Sequence, residues 1–195
     1  MGSATGYLRL MPRTGEPFER ILETMRTAAG ALQKDDVPFL LGGGLACWAR
    51  GGPPTDHDVD FLVRPEHAEP GLRSLARAGM EIERPPEHWL VKAYDDGVLV
   101  DLIYEPSGLR VGDAMFERAE MLEVHAVRMQ VASLDDVLST KLMALSEQSL
   151  DYRPVLEIAR TLREQIDWER VRDTTAGSPY ASAFFTLVDE LGIAA

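Results

Sequence analysis

The sequence predicts an α/β chain in which a short mixed sheet flanked by helices is followed by a C-terminal helical part. Three observations carry that expectation. Apolar runs of strand length recur between Val37 and Val131, the strongest being Val98 to Tyr104. Helical periodicity interrupts them at Glu16 to Lys34 and at Glu66 to Ala78. From Ser133 onward the pattern is helical to the end.

Taken in order, Glu16 to Lys34 places Phe18, Ile21, Leu22, Met25, Ala28, Ala29 and Leu32 at helical spacing between charged residues, which makes an amphipathic helix. Val37 to Leu41 is a short apolar run that leads into Gly42, Gly43 and Gly44. Leu45 to Arg50 then reads as a short helix, stopped by Gly51, Gly52, Pro53 and Pro54. Strands are expected at Asp58 to Val63, Met80 to Arg84, Trp89 to Tyr94 and Val98 to Tyr104, with Asp95, Asp96 and Gly97 as a hairpin turn. After a loop through Pro106 and Gly108, Met121 to Val131 adds further strand. Helices follow at Leu134 to Glu147, Tyr152 to Gln165, Trp168 to Asp173 and Pro179 to Leu191, the first opened by a capping box of Ser133 and Asp136. The sequence therefore divides into a core domain over residues 1–132 and a helical region over residues 133–195.

With 195 residues, 45% of them hydrophobic, the chain is long enough for one substantial core. Its net charge is −12, spread along the chain and with no basic run, which opposes general binding to nucleic acid. The single cysteine, Cys47, excludes an internal disulfide framework and a cysteine-rich zinc site, and fits a reducing compartment such as the cytoplasm. No apolar stretch approaches the roughly 20 residues that span a bilayer, so no membrane role is expected. The N-terminal residues lack a signal-peptide segment, and Gly6 stands where a myristoylation motif requires Ser or Thr.

The chemistry resides in aspartates. Asp58 and Asp60 are two residues apart in an alternating segment, so both side chains share one strand face and can bridge a pair of divalent ions. Val59 and Phe61 point into a core and hold the strand. Asp101 interrupts the apolar run Val-Leu-Val-Asp-Leu-Ile-Tyr, where a buried carboxylate is costly unless a metal ion or a reacting hydroxyl offsets it. Gly43 and Gly44, lacking side chains, let backbone N–H groups at a helix start approach a phosphate.

The order strand, Gly-Gly, short helix, Asp-x-Asp strand, later Asp over Val37 to Tyr104 resembles the polymerase-beta-like nucleotidyltransferase superfamily. The spacer from Gly43-Gly44 to Asp58 is slightly longer than in that pattern. The ladder Asp56, Asp58, Asp60 offers two registers, of which Asp58 and Asp60 fit the alternation, because His57 is a poor apolar residue. A second resemblance covers Ser139-Thr140-Lys141-Leu142-Met143-Ala144-Leu145 and Asp151, which is similar to the helical motif of AbiEii-type and MenT-type toxin nucleotidyltransferases. Here, however, no second lysine precedes Asp151.

These resemblances imply a nucleotidyltransferase fold and a metal-dependent enzyme. It would move a nucleoside monophosphate from an NTP such as ATP to an acceptor hydroxyl and release pyrophosphate. They imply two Mg²⁺ ions, or Mn²⁺, on Asp58, Asp60 and Asp101, with Asp101 also activating the acceptor. Lys141 would be catalytic and, with Gly43, Gly44, Thr55 and Asp151, would bind the nucleotide. The acceptor would be a small molecule or tRNA. In the tRNA case the protein would be the toxin of a toxin–antitoxin pair with an antitoxin partner. A catalytically silent nucleotide-binding domain is the remaining alternative.

Competing explanations of the same residues are limited. The aspartate ladder is not an EF-hand, since Phe61 and His67 occupy the places of its glycine and bidentate glutamate. His57 beside the ladder is either a ligand or a surface residue. Arg50 and Thr55 flank the preceding loop where they can reach phosphates, although an arginine at a helix end also favours the helix dipole. Trp48, Trp89 and Trp168 read as core aromatics, Trp89 being also able to stack on a base. The chain has no G-x-S-x-G elbow, P-loop, H-E-x-x-H or Rossmann fingerprint.

Overall fold

A computed structural model of the chain describes residues 16–55 and 58–194. The readings of Asp56 and His57, and of the N-terminal residues through Gly6, lie outside the described residues.

Helix α1, Glu16–Lys34, buries the seven apolar positions that its periodicity selects, Phe18 through Leu32. It ends where Asp36 turns into a left-handed conformation, φ 54°. The strands are β1 (Leu40–Leu41), β2 (Val59–Leu62), β3 (Glu81–Glu83), β4 (Leu90–Asp95), β5 (Val98–Ile103), β6 (Glu120–Val124) and β7 (Val127–Val131). They form one mixed sheet in the order β3-β4-β5-β2-β1-β7-β6. The strand expected over Val37 to Leu41 shrinks to β1, a two-residue link that runs antiparallel to β2 and parallel to β7.

Alternation along β2 and β5 separates the sheet's faces. Val59, Phe61, Val100 and Leu102 are fully buried in the core shared with α1 and α3 (Pro65–Arg77), where Phe61 meets Phe39 edge-on at 4.9 Å. The opposite face carries Asp60 and Asp101.

The β4–β5 hairpin closes through Asp96 and Gly97, both left-handed (φ 48° and 88°), as Asp-Gly predicts. The expected strand over Met121 to Val131 is instead a second hairpin, β6–β7, which turns at His125 and Ala126 (φ 46° and 62°). No glycine signals that turn; the left-handed pair is held by strand pairing on both sides. A further helix, α4 (Asp113–Arg118), occupies what reads as loop, and is fixed by Arg64, which stacks 3.9 Å from the Phe116 ring and pairs with Asp113 at 2.9 Å.

Helix α2 (Gly43–Trp48) follows β1 directly. After Ala132 come α5 (Leu134–Met143), α6 (Arg153–Leu162), α7 (Trp168–Thr174) and α8 (Pro179–Glu190). Helix α5 packs on α2 and on the three helices after it. Its N-terminus is capped as the sequence indicates, the Asp136 N–H donating to Ser133 Oγ at 3.2 Å, and buried Asp136 accepts 2.6 and 3.1 Å bonds from Arg118. Both sheet edges are set with glutamates: Glu81, Ile82 and Glu83 on β3, and Glu120, Met121 and Glu123 on β6, are all exposed. No helix among the described residues is long and apolar enough to cross a membrane.

Because Phe61 fills the core directly behind Asp60, Phe61→Ala is expected to destabilise the fold by about 3–5 kcal/mol in urea unfolding, through lost burial and the cavity left behind.

Candidate functional site

The parallel pairing of β2 with β5 sets Asp60 beside Asp101. Asp58 precedes β2 by one residue, outside the strand it was expected to begin, and still shares Asp60's side. One carboxylate oxygen from each of Asp58, Asp60 and Asp101 lies within 4.8 Å of the others. Asp101 is buried, and Asp58 and Asp60 are half-buried.

Glycine is obligatory against this cluster. Gly43 adopts φ +54°, and a Cβ there would stand 1.7 Å from Asp60 Oδ2 and 2.6 Å from its Cγ. Gly44 is pressed by Thr55, whose Cβ and Oγ1 would lie 2.7 and 2.8 Å from an added Cβ. The Gly42 N–H donates to the Asp60 carbonyl at 2.8 Å, tying the start of α2 to β2. Gly43, Gly44 and Thr55 therefore crowd the edge of the aspartate cluster.

Burial, then the like charges of Asp58 and Asp101, push the Asp60 carboxyl up to about 7, against the opposing pull of Lys141 and Lys92. Part of Asp60 faces the cleft, yet the protein packed around it makes desolvation the leading cause. Asp101 is also raised by burial, with the Lys92 ammonium, 3.2 Å from its Oδ1, pulling the other way.

Lys92 was absent from the residues expected in the site. The hairpin contained the signal: once Asp96-Gly97 is the turn, antiparallel pairing puts Lys92 opposite Asp101. Lys141, half-buried on α5, directs its charge toward both Asp60 and Cys47. The Cys47 thiol is pushed up to about 11 by burial, so it is an inert packing residue.

Asp151, expected at the nucleotide, and Arg50, weighed between phosphate contact and helix end, each have protein partners. Asp151 accepts bonds from the Arg153 backbone N–H at 3.0 Å and from its guanidinium at 2.9 Å, holding the first turn of α6. Arg50 is buried; it pairs with Glu120 at 3.0 Å and donates to the Val131 and Ala132 carbonyls at 3.3 and 3.0 Å, clamping the end of α2 to β6 and β7. Trp48 packs edge-on against Phe18 at 5.2 Å, Trp168 donates to the Arg163 carbonyl at 3.3 Å, and Trp89 is 40% exposed.

The donor set suits a divalent cation. Three carboxylates offer hard oxygen ligands of the kind Mg²⁺ and Mn²⁺ take, and a cation among them would offset both the burial and the repulsion that raise Asp60.

A family described as "Nucleotidyl transferase of unknown function (DUF2204)" matches residues 21–181, a span that includes Gly43, Gly44, Asp58, Asp60, Lys92, Asp101 and Lys141. No curated protein matches the chain by sequence. Among solved structures, ANT(2'')-Ia in complex with adenylyl-2''-tobramycin superposes with a TM-score of 0.61 at 13% identity, over 84% of this chain and 98% of that one. The solution structure of the antibiotic-resistance factor ANT(2'')-Ia gives 0.63 at 13% identity, over 89% and 98%. A Thermotoga maritima protein assigned as a nucleotidyltransferase gives 0.52 at 18% identity, over 75% and 92%. At these identities the likeness is one of fold.

The raised Asp60 acid makes a signed prediction for the metal-free protein. The folded state holds that proton to about pH 7 while the unfolded chain releases it near 3.8. Folding stability from this group therefore falls as pH rises through that window. Asp60→Asn is expected to raise Tm in chelator by about 5 °C at pH 8 and by about zero at pH 4, as read by differential scanning calorimetry. Gly43→Ala, by contrast, is expected to weaken Mn²⁺ binding at least about tenfold in calorimetric titration, since its Cβ displaces the Asp60 carboxylate.

Proposed function

This chain belongs to the DUF2204 family of nucleotidyl transferases, and we propose that it moves the nucleoside monophosphate of an NTP onto a hydroxyl of a small-molecule acceptor. The observation that carries this reading is the convergence of Asp58, Asp60 and Asp101 within 4.8 Å beside a glycine turn that tolerates no side chain.

In this reading Asp58, Asp60 and Asp101 would hold Mg²⁺ or Mn²⁺, which supplies Lewis-acid stabilisation of charge on the triphosphate. Gly43 and Gly44, against which the Asp60 carboxylate and Thr55 press, would present backbone N–H groups to the phosphate chain beside the metal site. Asp101 accepts the proton of the acceptor hydroxyl as its oxygen bonds to the α-phosphorus. The bond from that phosphorus to the β-phosphate bridging oxygen breaks, and pyrophosphate leaves with the bonding pair. Lys141, whose charge already reaches Asp60, offsets the charge that builds on the leaving group. Lys92 is a positioning residue: its ammonium, 3.2 Å from Asp101 Oδ1, holds that carboxylate in place and opposes the upward push of burial.

A net charge of −12 without a basic run favours a small acceptor over an RNA. The fold likeness to ANT(2'')-Ia, a protein captured with an adenylylated tobramycin, points the same way. ATP is accordingly the first donor to test. The reading as a tRNA-modifying toxin with an antitoxin partner has Lys141 in its favour, but Asp151, the other half of that motif, is engaged by Arg153. The lone cysteine, buried and free, fits work in the cytoplasm.

The test supplies purified protein with each α-labelled NTP, Mg²⁺ or Mn²⁺, and either a metabolite extract or total RNA. Label is expected in a small metabolite, with chelator abolishing it. Asp60→Ala and Asp101→Ala are expected to lower the rate by about three orders of magnitude or more while melting normally. Undiminished transfer by both variants would remove the aspartates from the chemistry, and label in RNA alone would replace the acceptor.

A further inference from the structure

A cavity of about 570 Å³ opens between the end of β5 and the end of α5, lined by His88, Trp89, Glu105, Ser107, Gly108 and Ala144. Its walls continue the elements that carry the reacting groups. Trp89 immediately precedes β4, three residues before Lys92; Glu105 follows Asp101 by four residues on the chain leaving β5; Ala144 lies one helical turn beyond Lys141. A volume of this size accepts a drug-sized molecule.

The walls are fixed before any ligand arrives. The Trp89 carbonyl accepts from the N–H groups of Tyr104 and Glu105 at 3.0 and 3.2 Å. The turn beyond is anchored by buried Pro106, by the Leu109 N–H donating to the Pro106 carbonyl at 2.8 Å, and by the Val111 N–H donating to the Tyr104 carbonyl at 3.0 Å. Ser107 and Gly108 are both left-handed there, φ 52° and 79°, a conformation that costs a serine about 1–2 kcal/mol. Trp89 leaves 40% of its surface exposed at this cavity instead of burying it.

The charge of the lining selects the ligand. Glu105 is its carboxylate, and among the described residues that line it the one basic side chain is the His88 imidazole, with no lysine or arginine. An indole face and a carboxylate together recognise an ammonium group, the first through its quadrupole and the second through a charge-assisted hydrogen bond. A base at an RNA end can stack on indole as well, but its phosphates would meet the Glu105 carboxylate with no lysine or arginine to offset it.

We propose that this cavity is the acceptor pocket and that it takes a hydroxylated organic amine, held between the Trp89 ring and the Glu105 carboxylate. The proposal rests on the nucleotidyl-transfer reading above, and binding measured apart from transfer separates the two.

Calorimetric titration of the full chain, without nucleotide, would use tobramycin as a hydroxylated polyamine, maltotriose as a neutral polyol, and total tRNA. Tobramycin is expected to bind, more weakly at high salt, and maltotriose and tRNA are not. Trp89→Leu and Glu105→Gln are each expected to weaken tobramycin about tenfold, with Glu19→Gln on α1 unchanged. Glu105 is exposed, so its variant folds even if Trp89→Leu does not. No tobramycin binding, equal affinity in wild type and Glu105→Gln, or preferential binding of maltotriose or tRNA overturns the pocket. Pocket-dependent binding with no label transferred to any acceptor would sink the transferase reading alone. Transfer to an acceptor whose KM both variants leave untouched would sink the pocket alone.

Discussion

Mutual repulsion among three carboxylates is the constraint around which the rest of the chain is arranged. Asp58, Asp60 and Asp101 come within 4.8 Å of one another on a sheet face whose other side is solid hydrocarbon. Left alone, such a cluster would splay or stay protonated. Several independent features prevent splaying: the parallel register of β2 with β5, the bond from Gly42 to the Asp60 carbonyl, and the core packing of Val59 and Phe61. Two ammonium groups from different elements, Lys92 on the neighbouring strand and Lys141 on α5, offset part of the charge. The remainder defines what the site attracts.

This arrangement also explains why the helical tail is packed where it is. Helix α5 is locked at its start by Ser133 and by the buried pair of Asp136 with Arg118, and it lies on α2, the helix that begins at the glycine turn. A lysine two turns into α5 is thereby aimed at Asp60 without any loop between support and charge. Arg50 serves the same end indirectly, fastening the far end of α2 to the chain just before α5.

Much of this could be read in the residues beforehand, and the boundary between what could and could not is physical. The α1 face, the Asp-Gly hairpin and the aspartate trio are local or strictly periodic, and periodicity survives folding intact. Lys92 required one further step, counting across a hairpin already identified. The turn at His125 and Ala126 had no local signature, because pairing of β6 with β7 imposes a conformation that neither residue prefers. Helix α4 is one and a half turns long and is stabilised by Arg64, distant in sequence, so its propensity alone could not announce it. The partners of Arg50 and Asp151 could not be read in one dimension, because a charge near a motif has several neighbours within reach; the fold pairs them with Glu120 and Arg153.

The glutamate-studded margins of the sheet affect how copies of the chain meet. A seven-stranded sheet with two open borders is a template for adding foreign strands, yet here any copy approaching β3 or β6 presents carboxylates to carboxylates. Like charges set against one another oppose edge-to-edge pairing at neutral pH, and among the described residues the glutamates of β3 and β6 supply that opposition. In mild acid, where glutamates lose their charge, that opposition goes while the backbone borders remain, so any edge-to-edge association of copies is expected first on the acidic side of neutrality.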